Sequence, residues 1–92
     1  MRTGRSALVT GGSRGIGAAI AKRLARDGVN VAITYARSAD RAEAVVEEMT
    51  VMGVHALAVR AEATDVDALR DATTRAATAF GGLDVLVNNA GV

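Results

Sequence analysis

Apolar and polar positions along the chain follow two alternating patterns. Short continuous apolar runs, such as Ser6–Thr10, are typical of strands that are buried on both faces of a sheet. Between these runs, apolar residues recur every three or four positions, as Ile16, Ile20 and Leu24 do, and this spacing predicts amphipathic helices. Strands are predicted at 6–10, 29–35, 54–59 and 84–87, and helices are predicted to begin near Ile16, at Ser38 or Asp40, and at Thr64 or Asp65.

Signals at the helix ends and along the helix faces support these predictions. Gly28 and Gly53 follow the first two helices, and glycine readily takes the left-handed conformation that ends a helix. Asp40 and Glu43 have the spacing of a capping box. The residues predicted to face inward are Val45, Val46, Met49 and Met52 on the second helix, and Val66, Leu69, Ala72, Ala76 and Phe80 on the third.

The order of the elements favours a parallel sheet. Strands that alternate with helices of this length are joined by right-handed crossovers. We therefore predict an α/β fold in which residues 1–92 form one unit, with four parallel strands in the order 3-2-1-4 and three helices. This arrangement is the first half of a doubly wound, Rossmann-type sheet. The fourth strand is expected at an edge, unless another chain or further sequence covers it.

Composition narrows the classes of function. The net charge of +1 gives no electrostatic reason to expect a nucleic acid or an anionic membrane as a partner. The chain has no cysteine, so it can form neither a disulfide nor a thiolate zinc site. No apolar run is long enough to span a membrane, and His55, the single histidine, has no second metal ligand at a useful spacing. We expect a cytoplasmic domain without a metal site.

The sequence TGGSRGIG, residues 10–17, joins the first strand to the first helix. Its glycines allow the positive φ of a sharp turn, and a backbone without side chains lets a diphosphate approach. The first amides of the helix lack intrahelical partners, so the anion is expected to rest against unpaired amides of this segment. Gly17 is expected to let the helix pack closely. An ordinary tight turn is the alternative, whereas a Walker loop is excluded because no lysine follows.

Two motifs carry a resemblance to a known family. TGGSRGIG resembles the TGxxxGxG motif of the short-chain dehydrogenase/reductase family, and NNAG at 88–91 is similar to that family's second signature. The similarity covers the whole chain but only the N-terminal part of a family member. Within the family, the chain resembles 3-oxoacyl-acyl-carrier-protein reductases and related sugar-alcohol dehydrogenases. The resemblance implies a dinucleotide cofactor at Gly11, Ser13, Arg14, Gly15, Ile16 and Gly17, with Glu62 and Ala63 at the adenine and Asn89, Ala90 and Gly91 at the nicotinamide ribose. It also implies that Asn88 ties the fourth strand to its neighbours.

The residues after the second strand indicate which dinucleotide binds. A carboxylate there would accept a hydrogen bond from the ribose 2′-hydroxyl of NAD and repel the 2′-phosphate of NADP. No acidic residue occurs between Gly28 and Ser38, whereas Arg37 and Ser38 follow the strand and Arg14 lies in the glycine loop. A guanidinium makes charge-assisted hydrogen bonds to phosphate. We therefore predict NADP(H) in preference to NAD(H), although Arg37 taken alone is also compatible with a solvated surface residue.

The resemblance further implies hydride transfer between the nicotinamide and a carbonyl or alcohol substrate. Family members use a serine and a Tyr-x-x-x-Lys pair, but the only tyrosine, Tyr35, is followed four positions later by Ala39. The only lysine, Lys22, lies on the first helix, so no catalytic residue is assigned and the chain alone is predicted to be inactive. Three interpretations stay open: part of a larger, homo-oligomeric oxidoreductase, a non-catalytic dinucleotide-binding module, or a half-domain that pairs with another chain through its fourth strand.

Overall fold

A computed structural model describes residues 4–13 and 15–89, and within these ranges it contains four parallel strands and three helices. The strands are β1 (Ser6–Thr10), β2 (Asn30–Tyr35), β3 (Ala56–Arg60) and β4 (Val85–Asn88), and the helices are α1 (Gly15–Arg26), α2 (Ala39–Val51) and α3 (Val66–Phe80). The strands lie in the order β3-β2-β1-β4. The predicted α/β fold and strand order are confirmed.

The sheet has a buried layer on each face, because alternate residues of a strand point to opposite sides. Val9 and Ile33 face α1 and α2, whereas Leu8 and Ala32 face α3. All four side chains are at most 1% exposed, so β1 and β2 form the centre of the molecule. In contrast, Val85 and Leu86 of β4 are 40% and 59% exposed, as expected of an edge strand.

Helix α1 packs on the sheet mainly through small residues. Ile16 is 74% exposed, while Ile20 and Leu24 are partly buried against the core. Small side chains let the helix axis approach the sheet closely. The buried residues of α1 are Gly17, Ala18, Ala21 and Ala25.

The helix starts differ in how they are capped. Asp65 caps α3 as predicted, and its carboxylate accepts a hydrogen bond from the Ala68 amide at 3.0 Å. Ser38 is the N-cap of α2 but makes no side-chain cap hydrogen bond. The predicted capping box is wrong, because Asp40 already lies in the first turn of α2.

Three other predictions at element ends need correction. Val66 is 61% exposed because it is the first residue of α3, before the helix reaches the sheet. Met52 is 39% exposed because α2 ends at Val51, before the predicted inward position. Strand β3 begins two residues later than predicted, although the His55 carbonyl already accepts a hydrogen bond from the Val31 amide.

In the described part of the chain, no helix is long and apolar enough to cross a membrane.

Candidate functional site

The loop between β1 and α1 turns through two glycines with positive φ. Gly11 has a φ of 69° and Gly15 a φ of 60°, a conformation that other residues rarely adopt. A Cβ added to Gly15 would have no heavy atom within 4 Å, so the backbone there borders open space. The predicted sharp turn with an accessible main chain is therefore present.

The other two glycines of the loop allow close packing. A Cβ on Gly12 would lie 2.7 Å from the Ile33 Cβ, so β2 leaves no room for a side chain at this position. A Cβ on Gly17 would overlap the Gly11 carbonyl and lie 2.7 Å from Asn89 Nδ2. Gly17 does permit close packing, as expected, but its nearest neighbours are the loop and the end of β4 and not the body of a strand.

Thr34, near the end of β2, holds the first part of the loop. Its side chain is 1% exposed, and its Oγ1 accepts a hydrogen bond from the Gly11 amide at 3.0 Å. Its carbonyl oxygen accepts a second bond, from the Gly12 amide, also at 3.0 Å. The sequence analysis did not single out Thr34, although a hydroxyl side chain in an otherwise apolar strand is a signal of a specific hydrogen bond.

These bonds change the expectation that the anion rests against unpaired amides throughout the loop. The amides of Gly11 and Gly12 already have partners within the protein. The amides at the start of α1 are available to an anion, because the helix begins at Gly15 and has no intrahelical acceptor for its first turn. The candidate anion site is thus the helix terminus with the open backbone at Gly15.

The end of β4 contacts the same loop. Asn88 pairs with Thr10 in the register of β1 and β4, and its Oδ1 accepts a hydrogen bond from the Thr10 hydroxyl at 3.2 Å. This contact is the tie between strands that the resemblance implied. Asn89 Nδ2 donates to the Gly11 carbonyl oxygen at 3.4 Å. The predicted residues Arg14, Ala90 and Gly91 lie outside the described residues.

Basic residues lie beside the loop at the end of β2. Arg37 is exposed, Ser38 is half-buried, and both line a small pocket together with Asp40 and Arg41. Arg41 also lines the groove that contains Ser13 and Gly15, so it lies between the glycine loop and the end of β2. Arg41 was not among the residues predicted from the sequence, although it lies in the first turn of the helix that follows Arg37. Asp40 offsets one of the two positive charges.

Glu62 and Ala63 follow β3 and are both exposed. The Ala61 amide donates to the Tyr35 carbonyl oxygen at 2.9 Å, which fixes the end of β3 beside the end of β2. The predicted residues within the described ranges therefore follow the carboxyl ends of neighbouring parallel strands. Open α/β sheets bind ligands at this edge.

A larger groove adjoins the one at the glycine loop. It has a volume of about 830 Å³ and runs between α1 and α2. Lys22 and Glu48, which form an ion pair at 3.1 Å, line both grooves, as do Ala19 and Ala44. The groove between the helices therefore continues from the candidate site.

Comparison with known proteins identifies the family of this loop and sheet. The family model described as short chain dehydrogenase matches residues 5–92. The chain belongs to this family. The resemblance noted from the two motifs is thereby confirmed. This short-chain dehydrogenase sequence is 51% identical over 92 residues to 3-oxoacyl-[acyl-carrier-protein] reductase FabG from Staphylococcus aureus strain Mu50. The match covers 100% of this chain and 37% of the relative.

Solved structures of similar proteins have the same fold. A short chain dehydrogenase from Burkholderia cenocepacia in complex with NADP is 62% identical, with a TM-score of 0.93 over 96% of this chain and 36% of that protein. A blue fluorescent protein from a metagenomic library in complex with NADPH is 48% identical, with a TM-score of 0.93 over 97% of this chain and 37% of that protein. The chain thus spans little more than a third of the length of these relatives.

Proposed function

We propose that this chain is the NADP(H)-binding part of a short-chain oxidoreductase that transfers hydride between a nicotinamide cofactor and a carbonyl or alcohol substrate. The observation that carries the proposal is the open backbone at Gly15, at the start of α1 and beside the basic end of β2. The absence of any heavy atom within 4 Å of a Cβ built on Gly15, its chain neighbours left out, supports the approach of a diphosphate there. When bound, the nicotinamide supplies or accepts the hydride.

The start of α1 binds the diphosphate in this proposal. Its amides point out of the first helical turn, and the helix dipole adds about 0.3–1 kcal/mol of stabilisation for a negative charge. Thr34 and Asn89 hold the preceding loop residue, Gly11, through its amide and its carbonyl oxygen. The loop is therefore shaped by the protein before an anion arrives.

Arg37 and Arg41 bind the 2′-phosphate of NADP(H), with the Ser38 hydroxyl as a further donor. Two observations support this preference: both arginines line the pocket at the end of β2, and that pocket borders the groove at the glycine loop. The Burkholderia and metagenomic relatives were solved with NADP and NADPH, which also favours the phosphorylated cofactor. Arg14 is a third candidate contact from the sequence alone.

The remaining binding roles follow the family pattern. Glu62 and Ala63 bind the adenine, and Asn89, Ala90 and Gly91 lie at the nicotinamide ribose. Asn89 has a second role in this proposal, since its side chain already contacts the Gly11 carbonyl oxygen. A homo-oligomeric complete protein and a cytoplasmic location stay predictions.

Titration of the protein with NADPH and with NADH by isothermal calorimetry tests the proposal. We expect saturable binding of both cofactors, with NADPH bound roughly tenfold or more tightly, because shielded charge-assisted phosphate contacts contribute about 1.5–3 kcal/mol. Equal affinities would reject the assignment of Arg37 and Arg41. Failure of both cofactors to bind at millimolar concentration would reject the whole proposal and favour the half-domain alternative.

A further inference from the structure

Thr34 links the glycine loop to the strand end that carries the basic residues. It lies on β2, three positions before Arg37, and its side chain is 1% exposed. Its hydroxyl and its carbonyl oxygen accept hydrogen bonds from the successive amides of Gly11 and Gly12, each at 3.0 Å. A single residue of β2 thus determines where two residues of the loop lie.

The loop needs such a restraint because of its composition. A glycine loses more conformational freedom on ordering than any other residue, and Gly11 is held at a φ of 69°. Without an acceptor for its amide, Gly11 would have many alternative conformations, and a buried unpaired donor is unfavourable. The bonds to Thr34 keep the chain in the conformation that aims the start of α1 outward.

The hydrogen bonds that Thr34 accepts connect the two phosphate-binding parts of the proposed cofactor site. The diphosphate would lie at Gly15 and the start of α1, and the 2′-phosphate would lie at Arg37 and Arg41. The spacing between these parts depends on how the loop is attached to β2, and Thr34 is the attachment. Ile33, the neighbouring residue, adds a steric limit because its side chain leaves no room for a Cβ at Gly12.

We infer that Thr34 is a positioning residue for dinucleotide binding, acting through Gly11 and Gly12 and not through contact with the cofactor. The inference rests on the proposed function, since it concerns the same site. A positioning role predicts that loss of the hydroxyl weakens NADPH and NADH binding by the same factor, because the 2′-phosphate is not contacted. A residue that only stabilises the fold would change the melting temperature but not the affinity of the folded protein.

Three variants test the inference by calorimetry, at a temperature at which circular dichroism shows each to be folded. Thr34→Val removes the hydroxyl at nearly constant volume and is expected to weaken both cofactors about tenfold, the effect of a loop that takes its binding conformation only about a tenth of the time. Thr34→Ser keeps the hydroxyl and is expected to restore the affinity to within about twofold of the unmodified protein. Thr73→Val is the matched control, because Thr73 Oγ1 donates only to Leu69 within α3.

The result of each measurement either supports or overturns the positioning role of Thr34. Unchanged affinity of folded Thr34→Val for both cofactors, or a loss confined to NADPH, would overturn the positioning role. If Thr34→Val does not fold, amide exchange in the unmodified protein without cofactor decides: slow exchange at Gly11 supports a pre-shaped loop, and fast exchange overturns it. Absence of cofactor binding by the unmodified protein would instead reject the proposed function, so the two failures are distinguishable.

Discussion

Gly15 and Gly17 are two positions apart, yet a side chain at each would meet different surroundings. A Cβ on Gly17 would strike the Gly11 carbonyl, whereas a Cβ on Gly15 would project into open space. A substitution at Gly17 therefore disturbs the folded protein itself. A substitution at Gly15 occupies the space in which we propose that the diphosphate lies, so it separates binding from folding more cleanly.

We expect Gly15→Val to abolish NADPH binding, because the new side chain fills the approach to the amides of α1. The variant also carries backbone strain, since φ is 60° at this position. Gly28→Val is the matched control: Gly28 has a φ of 87° and open surroundings, but it lies at the opposite end of α1. Calorimetry should show no binding for the first variant and retained binding for the second.

We expect Arg37→Asp to shift the preference from NADPH towards NADH. The new carboxylate repels the 2′-phosphate and can accept a hydrogen bond from the ribose 2′-hydroxyl. The ratio of the two dissociation constants should change by roughly tenfold or more, from the loss of a charge-assisted contact alone. Arg70→Asp, on the exposed side of α3, makes the same change of charge away from the site and should leave the ratio unaltered.

At the scale of elements, small residues decide how α1 sits on the sheet. Ala21 is 0% exposed, and Ala25 is 1% exposed. Their size keeps the helix close to β1 and β2, and this brings the start of α1 to the glycine loop. The large residue Ile16, which belongs to the helical spacing of apolar residues, lies at the surface beside that loop.

We expect Ala21→Leu to lower the free energy of unfolding by about 1–3 kcal/mol, because the packed interface has no space for three more carbon atoms. Ile16→Ala, the comparison variant, should change it by no more than about 0.5 kcal/mol, since this side chain is 74% exposed. Urea denaturation followed by circular dichroism measures both. A larger loss for Ile16→Ala would contradict the exposed position of this side chain at the start of α1.

The caps of α2 and α3 provide a second contrast between elements. We expect Asp65→Ala to cost about 0.5–2 kcal/mol of stability, because its carboxylate accepts the Ala68 amide. Ser38→Ala should cost little, since the Ser38 side chain makes no cap hydrogen bond. The same denaturation measurement applies, and equal losses for the two variants would contradict the cap assignments.

At the scale of the whole molecule, the parallel sheet gathers the candidate site at one edge. The glycine loop, Arg37, Glu62 and Asn89 come from four places in the sequence, and each follows the carboxyl end of a different strand. Neither Tyr35 nor Lys22 adds the missing catalytic pair: Tyr35 packs against the core on β2, and Lys22 pairs with Glu48 between the helices.

We expect the chain to bind NADPH without oxidising it in the presence of a ketone or a 3-oxoacyl thioester. The reason is the absence from its sequence of a Tyr-x-x-x-Lys pair. The absorbance of NADPH measures turnover, and the Staphylococcus aureus reductase serves as the positive control. Steady oxidation by this chain above the rate without protein would show that another group carries out the proton transfer.

The sequence alone determined the order of the elements, the place of the turn and the family. These features depend on residues that are close in sequence. The spacing of apolar residues distinguishes strands from helices, and glycine marks positions where φ is positive, as at Gly11 and Gly15. The strand order also followed, because short connections and the handedness of crossovers leave few alternatives.

Only the tertiary structure decided which groups of the site are already paired and which residues meet there. Thr34 is 23 positions from Gly11, and their hydrogen bond exists only because β2 lies beside β1. Arg41 lines one groove with Ser13 and Gly15 because α2 packs beside α1, and the inward face of α1 depends on the fit between helix and sheet. Contacts between distant parts of a chain leave no local pattern, since they are set by packing and not by the backbone preferences of adjacent residues.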